Sequence, residues 1–334
     1  MKHYGLLAAF AAAAIIAGGC SSAGTVEDFS SYVNVKIGSG GHGHVFVGAS
    51  VPFGAVQLGP TSIPQSWDWC SGYHDSDSTV IGFSHTHLSG TGIGDLFDIT
   101  LMPVTGTVKY ARGKEDDLAS GLWSYADRTR EVARPGFYSV PLERYGILAE
   151  MTATNRVGFS RYTFPASDNA AVIFDLENGG CWDSAYNTAM EVVDSCTLKG
   201  FRFSSGWARN QKIFFYATFS KPFTSFALTT VREREIEGQN YPVTYGRAGF
   251  ATTEGEQIMV KVAISPVSEE NARLNLETEA PDWDFEATAK DAAAAWNDEL
   301  SRVKVNGPDP ESKTIFYSAL YHTMIVPSTF CDVN

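Results

Sequence analysis

"EQIMVKVAISPVS", Glu256 to Ser268, sets Ile258, Val260, Val262 and Ile264 on one side of an extended chain and Met259, Lys261 and Ala263 on the other. Successive side chains of a strand point to opposite faces, so this alternation predicts a strand with one buried side. Toward the amino terminus the same texture continues. "AAVIFDLENGG" (Ala170–Gly180) and "QKIFFYATFSKPF" (Gln211–Phe223) are short, rich in β-branched and aromatic residues, and bounded by Gly, Pro or Asn-Gly, the punctuation of strands joined by turns. From about Tyr32 to Val267 this predicts a mainly β fold, a large β-sandwich. No fixed-period repeat is visible, which disfavours a propeller or solenoid.

Beyond Pro281 the period lengthens. Phe285, Ala289, Ala292, Trp296, Leu300 and Val303 form an apolar stripe on a helix starting near Asp284 and stopped by Asn306-Gly307-Pro308. A second helix is predicted from about Glu311, with Asp309 as its cap, Pro310 in its first turn, and Ile315, Phe316, Ala319, Leu320 and Thr323 toward one side. Exposed apolar side chains forfeit roughly 1.5–3 kcal/mol of burial each, so these helices need the sandwich, or further helices, to lie against.

The 334 residues are 44% hydrophobic and 19% charged, enough for one substantial core and the beginning of a second. A net charge of -13 without a basic patch argues against nucleic acid as a partner. At the amino terminus, Lys2 and His3 precede twelve apolar residues from Leu6 to Ala17 and then small residues before Cys20. That is the layout of an export signal over residues 1–20, too short to span a bilayer, with Cys20 as a lipoprotein acylation site. The expected location is the periplasm or the outer-membrane surface, with membrane contact only through a lipid anchor at Cys20. The remaining cysteines, Cys70, Cys181, Cys196 and Cys331, have no C-x-x-C spacing. A structural zinc knot is therefore not expected, while an oxidising compartment permits a bridge such as Cys181 to Cys196.

The chemistry is concentrated near the front. Five of the seven histidines, His42, His44, His74, His85 and His87, lie within 46 residues. Three readings stay open: a zinc site pairing His42 and His44 with His85 and His87, structural imidazoles on loop backbone, or contacts to a sugar or other polar ligand. Trp67 and Trp69 lie in "SIPQSWDWCSGYHDSDS", which has loop composition, and an indole face beside fixed donors suits a pyranose ring. Paired carboxylates drive most glycoside cleavage, but Asp68, Asp75, Asp77, Asp95 and Asp98 show no pairing in the sequence, and loop hydrogen bonding is the plainer role for each.

Three stretches carry a resemblance: Tyr32–Pro60 ("YVNVKIGSGGHGHVFVGASVPFGAVQLGP"), Trp67–Pro103 ("WDWCSGYHDSDSTVIGFSHTHLSGTGIGDLFDITLMP") and Phe316–Asn334 ("FYSALYHTMIVPSTFCDVN"). Together they resemble the amino-terminal part of glycoside hydrolase family 92, the bacterial exo-acting α-mannosidases. The resemblance implies a sandwich over residues 26–270, then linker helices over 281–334 leading into a truncated (α/α)6 barrel, with the active site between. It implies an inverting, calcium-dependent enzyme acting on mannose-containing glycans, α-1,2-linked mannose of N-glycans or mannan. Its acid, base and most calcium ligands are expected in a barrel beyond Asn334, so the chain alone is expected to be inactive. A carbohydrate-binding remnant and a zinc hydrolase are the alternatives. Carried over by position, the substrate contacts implied here are His42, His44, Gly48, Trp67, Trp69, Cys70, His74, His85, His87 and Asp332. The tryptophans would wall the mannose pocket, and His85 and His87 would orient loop and sugar hydroxyls.

Overall fold

The computed structural model describes residues 27–307 and 309–333; the export signal and Cys20 lie outside them. Two antiparallel sheets face each other. The six-stranded sheet runs, edge to edge, Gly59–Thr61, Gly82–Ser84, Thr100–Thr105, Ser167–Asp175, Gln239–Thr252 and Ser225–Ile236. The eight-stranded sheet runs Ser184–Asp194, Thr197–Ser205, Gln211–Phe219, Glu256–Ser265, Val157–Phe164, Ile147–Ala153, Phe137–Leu142 and Val132–Arg134. A short antiparallel pair, Thr79–Val80 with Ser124–Tyr125, forms a third, two-stranded sheet. The core between the sheets holds Leu101, Val172 and Phe174 from one sheet and Tyr162, Phe215, Val260 and Val262 from the other, all buried.

The predicted strand Glu256–Ser265 is present, and Ile258, Val260, Val262 and Ile264 are buried as the alternation requires. Its other face is not open to water. Helix α1 (Glu269–Glu279), which the sequence reading did not anticipate, lies over it and buries Ala263 with Val157, Leu276 and Ala280. Lys261 is buried there too. Its ammonium donates to Ala280 O at 2.7 Å and sits 4.1 Å from the centre of the Trp283 ring, and burial lowers its pKa to about 8. A lysine can follow an apolar surface with its stem and still find carbonyls for its head.

Helix α2 (Phe285–Leu300) starts at Asp284, whose carboxylate accepts from Ala287 N. It buries Phe285, Ala289, Ala292, Trp296 and Leu300, the predicted stripe without Val303, which lies past its end and is exposed. The sandwich provides the seat: Trp296 Nε1 donates to Ser50 O at 2.6 Å, and the Phe285 and Phe159 rings meet edge to face. Helix α3 (Pro310–His322) is capped by Asp309 as predicted, but its buried face is Tyr317, Ser318 and Tyr321. Ile315, Ala319 and Thr323, assigned inward from the sequence, are exposed. The turn Phe29–Tyr32 decides this rotation, since Tyr32 stacks on Tyr317 and Asn34 N donates to Ser318 Oγ. The tyrosine rings and the serine hydroxyl match an aromatic, hydrogen-bonding neighbour. Among the described residues α1, α2 and α3 are the α-helices; the architecture they show is mainly β with these three helices, and they form no helical barrel.

Candidate functional site

The two histidine pairs are held in different environments. His42 is exposed, and its Nδ1 lies 2.6 Å from Asp68 Oδ1. His44 is buried at φ 54°, with Nε2 3.5 Å from the same oxygen and its ring edge against Trp67 at 4.2 Å. The carboxylate therefore pairs with one imidazole and lies near a second, whose Nε2 has no hydrogen-bond partner among the described residues, and the hydrogen bond from His42 lowers the Asp68 pKa. Trp67 is half exposed and donates Nε1–H to Gly92 O at 2.9 Å. A Cβ on Gly92 would come within 2.5 Å of that indole, so only glycine lets the loop lie against it.

Trp69 and His74 form a second layer behind this edge. Trp69 donates to Asp77 at 2.6 Å and stacks on His74, with ring centres 4.3 Å apart. His74 in turn reaches Ser76 Oγ at 2.7 Å and Gly41 O at 3.3 Å. This stack ties the Trp67–Trp69 turn to the Gly40–Gly43 loop.

His85 and His87 are fully buried. Their Nδ1 atoms face Ile99 O at 2.6 Å and Gln57 O at 2.8 Å, so the neutral ring carries its proton there, and neither Nε2 has a partner among the described residues. Burial lowers both pKa values to about 4. Their part is to hold loops. Leu96, Phe97 and Ile99 all have positive φ, a costly conformation for such side chains, and His85 N–Asp98 O and Phe97 N–Thr86 O bonds hold the segment between them. The expected contact of His85 and His87 with sugar hydroxyls is corrected: both rings lie beneath the surface. The proposed zinc quartet is corrected likewise. His42 and His44 converge on Asp68 while His85 and His87 point to separate carbonyls, and among the described residues no three His, Cys, Asp or Glu side chains gather as metal ligands.

Gly48 is also moved from ligand contact to packing. It is buried, and a Cβ there would meet Leu58 O and the Phe46 ring, each at 2.5 Å. Cys70 is buried with Sγ 2.7 Å from Trp67 O, and burial pushes its thiol up to about 12. The thiol facing it is Cys181, which rests on the preceding carbonyl, Ser66 O, at 3.8 Å. Cys181 and Cys196 are both free, so the bridge between them is not formed. Asp332 is fully engaged: it accepts from Ser265 Oγ and Asn271 Nδ2 at 2.8 Å and from Asn275 Nδ2 at 2.7 Å, which docks the last segment on α1.

Three groups escaped the sequence reading. Arg202 is wholly buried, pairs with Asp98 at 2.6 Å and with Asp183, and so supports the segment after Asp95 from behind. Trp182 and Trp207 are exposed beside the same loop. No local pattern marks a buried ion pair between residues 98, 183 and 202. "GGCWDS" and "SSGWARN" do place each tryptophan among small turn residues, the signal already used for Trp67.

Chemically, the exposed edge offers an indole face, an imidazole and an ionised carboxylate, a set that binds and orients hydroxyls. It does not contain a paired acid and base. A cavity of about 390 Å³ lies elsewhere, between Val51–Phe53 and α2, and is walled by Glu279, Asp291, Asp298 and Glu299, a charged lining with no indole.

Comparison with known proteins agrees with this layout. The model of the glycosyl hydrolase family 92 N-terminal domain matches residues 32–265, and that of the family 92 catalytic domain matches residues 271–334. A family 92 α-mannosidase of Bacteroides thetaiotaomicron, solved in complex with mannoimidazole, is 34% identical over 92% of this chain and 41% of its own, with a TM-score of 0.85. A further family 92 glycosyl hydrolase structure is 26% identical, with 90% and 41% of the two chains covered and a TM-score of 0.78. An uncharacterized secreted glycosidase of Arthroderma benhamiae is 29% identical over 92% of this chain and 43% of its own. The chain thus spans about two fifths of the length of these relatives. With well over half of its length matched by the amino-terminal model and residues 271–334 by the catalytic one, the chain belongs to glycosyl hydrolase family 92.

Proposed function

We propose that this chain is the amino-terminal part of an exported exo-α-mannosidase and that the Trp67 edge forms its half of the mannose pocket. The observation that carries this is the arrangement of His42, Asp68 and half-exposed Trp67 on one edge, in a chain 34% identical to an α-mannosidase that binds mannoimidazole. Trp67 would pack on the apolar face of the ring, and His42 with ionised Asp68 would hold hydroxyls at its rim. The fixed Trp69–His74 stack would keep that edge in place, so that little is lost in ordering it on binding.

Hydrolysis would proceed with inversion, water attacking the anomeric carbon opposite the departing sugar while one carboxyl acts as acid and another as base, about 6.5–9.5 Å apart. That pair, and the helical barrel expected to carry it, are proposed to belong to the rest of the catalytic domain, so the present chain alone would release no mannose. Calcium is proposed for the complete enzyme on the same grounds, but the described residues gather no set of metal ligands, and this segment offers it no cage. The substrate class is α-1,2-linked mannose of N-glycans or mannan. Export, with acylation at Cys20, would place the enzyme at the cell surface or in the periplasm.

The test compares this chain with a form extended through the complete catalytic domain, both given α-1,2-mannobiose and followed by proton NMR. The extended form is expected to release mannose first as the β anomer and the present chain to release none. First appearance of the α anomer would overturn inversion, and mannose release by this chain alone would overturn the division of roles.

A further inference from the structure

Three charged side chains meet where water does not reach. Arg202 lies in the strand Thr197–Ser205, while Asp98 and Asp183 stand just before the strands Thr100–Thr105 and Ser184–Asp194, and all three are buried. The guanidinium uses every nitrogen there: Nε donates to Leu176 O at 3.1 Å, one terminal nitrogen to Asp98 at 2.6 Å and the other to Asp183. The second oxygen of Asp98 accepts from Thr86 and Gln211, and that of Asp183 from Ser204. Desolvating three charges offsets most of their attraction, so a buried triad adds little net stability over an apolar filling of the same volume. What it supplies is a fixed geometry between the segments that carry it.

We propose that Arg202 is a positioning residue for the Trp67 edge, acting through Asp98 and Asp183; this rests on the mannosidase reading above. The loops that end in these aspartates also meet a few residues earlier, where Cys181 N and Trp182 N donate to Gly94 O at 3.1 and 2.9 Å. Arg202 therefore closes a ring that runs through Gly94, Asp98, Arg202, Asp183 and Trp182. The seam is tight, since a Cβ on Gly94 would lie 2.5 Å from Cys181 Cβ, and a slip of one loop is felt by the other. Inside the ring Leu96 and Phe97 hold φ of 76° and 62°, a strain that persists only where the surroundings over-determine the backbone. Trp67 hangs on the same segment, through its indole N–H to Gly92 O. Holding Gly94 in place thus sets where the exposed indole stands.

Two variants test this. Arg202→Lys keeps the charge but not the planar fork, and Arg202→Met combined with Asp98→Asn and Asp183→Asn removes all three charges together, leaving none bare. Amide hydrogen exchange is measured on the chain, and mannoimidazole titration on a form carrying the complete catalytic domain. In both variants the Cys181 and Trp182 amides are expected to exchange at least about tenfold faster while those of Glu256–Ser265 keep their rates, and mannoimidazole to bind about tenfold more weakly. Wild-type protection of the two amides, or wild-type affinity, in either variant would overturn the positioning role and leave the pocket standing. Equal acceleration throughout Glu256–Ser265, or failure of both variants to fold, would assign the triad to the fold as a whole and overturn it likewise. No binding of mannoimidazole by the unaltered protein would overturn the mannosidase reading and this role with it.

Discussion

Acidification should strike this fold through His85 and His87. Above about pH 6.5 both imidazoles are neutral whether the chain is folded or not, and the native state keeps its full stability. Between that value and their folded pKa of about 4, only the unfolded chain takes up the protons, so stability falls with pH. Working each residue from about 6.5 to about 4, the loss at pH 5 is about 2 kcal/mol, or about 4 kcal/mol for the pair. The physical cause is visible at the atoms: each bare Nε2 would become a charged donor in a buried site with no acceptor. Asp175 opposes this. Burial raises its carboxyl to about 6, so the folded chain takes that proton first as the pH falls, returning about 1 kcal/mol. Urea unfolding at about pH 7.5 and about pH 5, on the wild type and on a His85→Asn, His87→Asn double variant, isolates the histidines. Asparagine keeps an N–H donor near each Nδ1 position and cannot titrate, while Asp175 and the half-buried His322 are common to both proteins. The wild type should lose about 4 kcal/mol more on acidification than the double variant. Equal losses would refute the reasoning.

The ion pairs and contacts behind the site give further expectations. Arg202→Met leaves Asp98 and Asp183 buried without their cation and should cost about 3–5 kcal/mol in denaturant unfolding, with a lowered melting temperature. Trp296→Ala removes a fully buried indole and its bond to Ser50 O, for a similar loss of about 3–5 kcal/mol by calorimetry. With a disulfide reagent at about pH 8, exposed Cys331 should react at once, and Cys70, buried and raised to about 12, only after denaturation.

Periodicity made the sandwich legible, because a strand between two layers must alternate and the residues from Ile258 to Ile264 do so plainly. The same rule missed α1. Lys261 sits where a solvent-facing residue is expected, and nothing in its own strand tells that a helix eleven residues long will cover it and that the segment after that helix will supply carbonyls to its ammonium. In α2 the apolar stripe was read correctly because the sheet it meets is apolar. In α3 it was read one step out of register, because Tyr317, Ser318 and Tyr321 meet aromatic and hydrogen-bonding partners from the Phe29–Tyr32 turn, which a hydrophobic count ignores. At the site, composition found the right stretches, yet it could not separate imidazoles that line a surface from imidazoles that brace a loop. His42 and His85 sit in equally polar sequence, and only the three-dimensional course of Leu96–Ile99 sets one in the open and the other under a strained segment.

The central claim, that the exposed indole of Trp67 with His42 and Asp68 forms one side of a mannose pocket, is tested most directly by titrating a form carrying the complete catalytic domain with mannoimidazole, before and after Trp67→Ala. The account predicts binding to the unaltered protein and an affinity at least about tenfold weaker in the variant. An affinity unchanged by the loss of that ring would contradict it.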